Sequence, residues 1–140
     1  MPSDESEVLA ENEAFYEAFR RGDADAVDAL WAKRSPVACI HPGWEPLHGR
    51  DKVMGSFRAI LRGPHPPQIA CERPVATLLG EVAFVICVET LDDSTLVATN
   101  VFVREEGAWK LVHHQAGPVS SQRSEPRPRP KAPGSSGMLN

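Results

Sequence analysis

No Gly-rich phosphate loop, no nucleophile elbow, no CxxC pair and no apolar run near the roughly 18 residues of a membrane span occurs in this 140-residue chain. Each absence removes a class of function: nucleotide hydrolysis on a P-loop, serine-hydrolase chemistry, thiol redox catalysis and helical membrane insertion. The residues from Met1 to Glu7 are acidic and polar. They lack the basic start and apolar stretch of a secretory signal, so the expected address is cytoplasmic. Cysteine is scarce as well: Cys39, Cys71 and Cys87 form an odd set, each within an apolar stretch, as buried free thiols usually are. Basic charge is in short supply where a fold would sit, since residues 1–117 carry 11 basic and 18 acidic side chains, a net of −7. Such a globule repels phosphate backbones, and neither nucleic acid nor a membrane is an expected partner.

What is present divides the chain in three. Residues 1–6 read as a flexible start, 7–117 as one α+β domain, and 118–140, with Pro126, Pro128, Pro130 and Pro133 followed by Gly134-Ser135-Ser136-Gly137, as a disordered tail. Ser6 is the expected cap of a first helix with Val8, Leu9, Phe15, Tyr16 and Phe19 on one face. Gly22 stops it, and Asp23 caps a short second helix with Ala26, Val27, Leu30 and Trp31 turned inward. Val37–His41 and Trp44–His48 flank the Pro42-Gly43 turn as a small hairpin, and Arg50–Leu61 forms a third helix. Four strand-like runs follow, at 68–79, 82–91, 95–103 and 109–115, with short polar connections that predict an antiparallel meander. Val82–Val88 and Val97–Val103 are apolar at both parities. One sheet face is therefore expected against the helices, and the other against a second copy of the chain.

The local wording is more specific than the pattern. Phe15-Tyr16, Asp25 to Trp31, Cys39-Ile40-His41-Pro42-Gly43-Trp44, Leu47-His48-Gly49-Arg50 and Trp109 to Ala116 resemble a bacterial branch of the SnoaL-like, or nuclear transport factor two-like, superfamily. The resemblance covers about residues 7–117. It implies a cone: a curved antiparallel sheet wrapped around three N-terminal helices, as in ketosteroid isomerases, with an apolar cavity inside and frequent dimerisation through the sheet. The superfamily holds isomerases, cyclases, dehydratases and proteins that only bind or assemble, so fold does not choose among them.

Candidate site residues follow from polarity in apolar surroundings. Glu89 is the one carboxylate in its strand run and shares parity with Val85, Cys87 and Leu91, where burial would raise its pKa toward the range of a general base; pairing with Arg104 at the strand end is the alternative. His41 ends a strand three residues before Trp44, across the Pro42-Gly43 turn, and can serve as acid or base, or the pair can simply pin the hairpin to the third helix. Tyr16, the sole tyrosine, is a potential proton donor or a packing residue. Asn100 is isolated among apolar neighbours and either orders a network or binds a ligand oxygen. Of the adjacent His113 and His114, alternation places His113 on the inner face with Trp109 and Leu111. Trp31, Trp44, Met54 and Phe57 would line the cavity. Histidine and cysteine spacings do not converge as a metal site requires, so neither metal nor cofactor is expected.

Three readings stay open. A cofactor-independent acid–base enzyme would use Glu89, His41 and Tyr16 on a small apolar carbonyl compound. A binding protein would use the same pocket without turnover, and an assembly module would fill it with side chains and keep the dimer.

Overall fold

A computed structural model describes residues 3–120; the Pro/Arg and Gly/Ser stretch expected to be disordered lies, from residue 121 on, outside the described residues. Helix α1 spans Asp4–Arg20, with the Ser3 hydroxyl accepting from the Ser6 amide at 3.1 Å. The cap is Ser3 rather than Ser6, so residues 4–6 belong to the helix and not to a flexible start. Three acidic residues, Asp4, Glu5 and Glu7, occupy the positive first turn, where the helix dipole favours them. Gly22 stops the helix at φ 67°, and a Cβ there would meet the Pro66 ring at 2.9 Å. Helix α2, Ala24–Leu30, is capped by Asp23, whose carboxylate accepts from the Ala26 amide at 3.0 Å.

The strands β1 (Ala38–Ile40) and β2 (Leu47–His48) form the expected hairpin, and α3 runs Arg50–Leu61. Arg50, from the Leu-His-Gly-Arg motif, fastens α3 to the end of α2. Its guanidinium donates to the carbonyls of Trp31 and Ala32, at 3.1 and 2.8 Å, and pairs with Asp28. The meander follows as β3 (Ala70–Leu79), β4 (Val82–Thr90), β5 (Thr95–Glu105) and β6 (Ala108–Pro118). Strand β6 thus reaches Pro118, past the expected end of the domain at Gly117.

These elements make a curved, open six-stranded sheet in the order β2-β1-β6-β5-β4-β3, with the three helices against its inner face, an α+β architecture. β1 joins β6 in parallel, and all other neighbours are antiparallel. Two bulges bend it. One interrupts β3 between Glu72 and Val75, where Arg73 has φ 53°, and the other interrupts β6 opposite Val101 and Phe102. The edge strand β3 carries Pro74, which has no amide to offer a further strand. The core lies between α1, α3 and the inner sheet face, built on Phe15, Phe57, Trp31, Val85, Phe102 and Leu111. Among the described residues, no helix is long and apolar enough to cross a membrane.

Candidate functional site

A cavity of about 180 Å³ opens between the inner sheet face and the helices. α1 supplies Phe15, Tyr16 and Phe19 to its wall, α3 supplies Phe57 and Ile60, and the sheet supplies Glu89, Leu96 and His114. His41, Pro42 and Trp44 close one side from the hairpin, with Pro67, Ile69 and Leu91 opposite. Trp44 is 45 % exposed and stands at the rim. The wall is hydrocarbon and aromatic ring except where four titratable side chains enter it: Tyr16, His41, Glu89 and His114.

Three of these meet. The Tyr16 hydroxyl donates to Glu89 Oε2 at 2.6 Å, and His114 Nε2 lies 3.9 Å from the same oxygen. Behind them, Asn100 gives Nδ2 to Asn12 Oδ1 at 2.8 Å and to the Tyr16 oxygen at 3.2 Å, while its Oδ1 faces His114 Nδ1 at 2.5 Å. Asn12 Nδ2 in turn donates to Cys71 Sγ at 3.5 Å, and Cys87 Sγ lies 3.4 Å from the Tyr16 hydroxyl. Asn12, Tyr16, Glu89 and Asn100 are all at most 2 % exposed. A buried polar chain of this kind is tolerable because its members satisfy one another.

His41 is held separately. Its Nε2 is 2.8 Å from Ser56 Oγ, whose hydroxyl also approaches the Val53 carbonyl at 2.7 Å, and its ring packs edge-on against Trp44 and Phe57. The His41 and His114 ring centres are 6.4 Å apart, facing the same cavity.

Burial sets the electrostatics. It pushes Glu89 up from the ordinary carboxylate range, against the Tyr16 hydrogen bond, which pulls the other way. It drives His41 down to about 4 and His114 down to about 3, the latter helped by the neighbouring histidines, so both imidazoles are neutral near pH 7. Burial first, and then the Glu89 charge, pushes the Tyr16 phenol up, which keeps its proton in place. The site therefore holds one carboxyl that gains a proton more readily than usual beside two neutral imidazoles and a fixed hydroxyl.

Glu89, Tyr16, His41, Trp44 and Phe57 all reach the cavity, and Asn100 stands behind it as the hub of the network. Glu89 is not paired with Arg104, which instead bonds Asp4 at 2.5 Å. Three positions differ from expectation. His113 does not face inward: its Nδ1 is 3.1 Å from the Ala38 carbonyl, and His114 is the buried one. The β6 bulge is the cause, because Phe102 pairs with Leu111 but Val101 pairs with His113, so the extra residue reverses parity between Leu111 and His114. Met54 is buried but sits one helical turn before Phe57, short of the part of α3 that borders the cavity. Trp31, at the end of α2, is bridged to Leu111 of β6 and fills the core away from the wall.

Asn12 and Ser56 are polar members of the site that sequence reasoning passed over. A signal existed for both: Asn12 lies four residues from Val8 and from Tyr16 on the buried stripe of α1, and Ser56 lies beside Phe57 and three residues from Val53 on that of α3. Among the described residues, no three His, Cys, Asp or Glu side chains converge as metal ligands would.

Comparison with known proteins adds to this geometry. A family model for the SnoaL-like domain matches residues 8–120. A solved structure from Streptomyces avermitilis, described as a proposed dehydratase of the NTF2-like family, is 35% identical, covers 84% of this chain and 97% of its own, and superposes with a TM-score of 0.77. One from Thiobacillus denitrificans, described as a proposed calcium/calmodulin-dependent protein kinase type II association domain, is 30% identical over 80% of this chain and 94% of its own, with a TM-score of 0.71. A cystatin-like fold protein of unknown function from Nostoc punctiforme, 16% identical over 84% of this chain and 92% of its own with a TM-score of 0.70, shares the fold. Among curated proteins, the F-box protein SKIP8 of Arabidopsis thaliana is 25% identical over 111 residues, which are 78% of this chain and 48% of that protein. The chain spans about half the length of this relative.

Proposed function

The chain belongs to the SnoaL-like domain family, and on that premise we propose that its cavity binds a small, uncharged, largely apolar carbonyl compound, on which Glu89 moves a proton without a cofactor. The observation that carries this reading is the Tyr16–Glu89–His114 cluster at the wall of an otherwise apolar cavity. Tyr16 occupies Glu89 Oε2, which leaves Oε1 to the ligand. A carboxylate there takes a proton from carbon beside the ligand carbonyl and returns it, either to another carbon, an isomerisation, or to a departing hydroxyl, a loss of water. Raising the carboxyl pKa by burial brings it closer to the operating pH, where proton transfer is most efficient. The description of the Streptomyces relative supports the water-loss variant.

The test is a thermal-shift screen against small apolar ketones and enones, with and without a hydroxyl group, repeated with Glu89→Gln. At least one compound should stabilise both proteins, with turnover, read by absorbance of the conjugated product, falling at least about a hundredfold in the variant. No stabilisation by any compound would contradict the pocket reading.

A second reading has its own observation. The outer sheet face exposes Val75, Leu79, Val82, Ile86 and Val97, and the similar structure from Thiobacillus denitrificans is described as a proposed association domain. This face is the proposed interface of a homodimer, which the pocket reading accommodates and an assembly role would need.

A further inference from the structure

The hydrogen bonds around the cavity fix which atoms remain for a ligand. Ser56 has one hydroxyl proton and two close neighbours, and the Val53 carbonyl can only accept. The proton therefore goes to Val53, and His41 Nε2 must carry the hydrogen that bridges to Ser56 Oγ. His41 is left with a lone pair on Nδ1, which makes one long contact, 3.9 Å, to Cys39 Sγ. The same logic applies at His114. Asn100 spends both Nδ2 hydrogens on Asn12 and Tyr16, so its Oδ1 accepts from His114 Nδ1, and His114 keeps a lone pair on Nε2. Tyr16 gives its own proton to Glu89. At the wall there remain His114 Nε2, His41 Nδ1 and Glu89 Oε1, all acceptors while Glu89 is ionised. Among the described residues, no lysine or arginine lines the cavity.

We propose, resting on the pocket reading above, that the ligand must bring the hydrogen-bond donor: the site takes a neutral single-ring compound bearing a hydroxyl group, and rejects the matching ether and carboxylate. An anion would face lone pairs and a carboxylate with no cation to balance it. An ether would leave a buried imidazole nitrogen without a partner. The size agrees, since about 180 Å³ is available and an apolar cavity of roughly 150 Å³ holds one benzene ring. Phe15, Phe57 and Trp44 give the ring aromatic edges and faces to pack on.

Two measurements test this. Titration calorimetry at neutral pH with 4-hydroxyacetophenone, 4-methoxyacetophenone and 4-acetylbenzoate should give binding of the hydroxyl compound about tenfold or more tighter than either analogue. Equal or tighter binding of the ether or the carboxylate overturns the donor proposal and leaves the pocket reading standing, whereas binding of none of the three overturns both. In the free protein, long-range proton–nitrogen correlation spectra should show His114 protonated at Nδ1 and His41 at Nε2. Protonation of His114 at Nε2 instead overturns the proposal, whatever binds.

Discussion

Strands β4 and β5 carry two faces that differ in an instructive way. The face toward the helices buries Glu89 and Asn100 among Ala83, Val85, Cys87, Ala98 and Phe102, whereas the opposite face leaves Val82, Ile86 and Val97 exposed. Polar atoms are inside and hydrocarbon is outside. Each half of that inversion is unfavourable for an isolated domain: a buried polar group must find partners, and a broad apolar patch invites association. The inner face meets its requirement within the chain, through the Asn12–Asn100–Tyr16–Glu89–His114 network. The outer face can meet its own only from outside. On the proposals above, the first face serves a small ligand and the second a partner surface, and the two can be broken separately.

The largest effect is expected at the hub of the inner network. Asn100→Ala removes the partner of Asn12, Tyr16 and His114 at once, and should lower the unfolding free energy by about 3 kcal/mol in urea melts. A loss under about 1 kcal/mol would mean that the network is not a structural unit. Next comes the outer face. Ile86→Glu places a charge at the centre of the apolar patch, and in a two-fold assembly two such charges meet. Sedimentation should show a dimer for the parent chain at micromolar concentration and a monomer for the variant, with association weakened at least about a hundredfold and folding intact. A parent chain that is already monomeric would remove the interface from the account, and a dimer that survives the substitution would place it elsewhere.

How far the sequence alone reaches also differs between the two faces. Alternation along β4 and β5 is regular, so Glu89 and Asn100 were legible as inward polar residues and the double parity of apolar residues was legible as hydrocarbon on both faces of the sheet. On β6 alternation misleads, because a bulge between Leu111 and His113 has no glycine or other local mark, and it turns His114 rather than His113 inward. Asn12 and Ser56 were legible as positions but not as partners: helical spacing places them on the buried stripes, yet only the packed fold brings Asn12 to a residue 88 positions away. Caps were less secure, since Ser3 and Ser6 both suit a helix start and the longer helix uses the earlier one.

The claim that the inner cluster is a site rather than an anchor is tested most directly by the stability of Glu89→Gln as a function of pH. Burial raises the Glu89 pKa above its unfolded value. The folded state then binds the proton more tightly than the unfolded chain does, so this group favours folding at low pH and loses that contribution as pH rises through its folded pKa. Glutamine keeps an acceptor for Tyr16 and carries no charge to bury. The account predicts that Glu89→Gln is as stable as the parent or more stable at neutral pH, and that the parent's decline above the ordinary carboxylate range is flattened in the variant. A loss above about 2 kcal/mol at neutral pH would mark Glu89 as an ionised anchor of the fold and contradict the account.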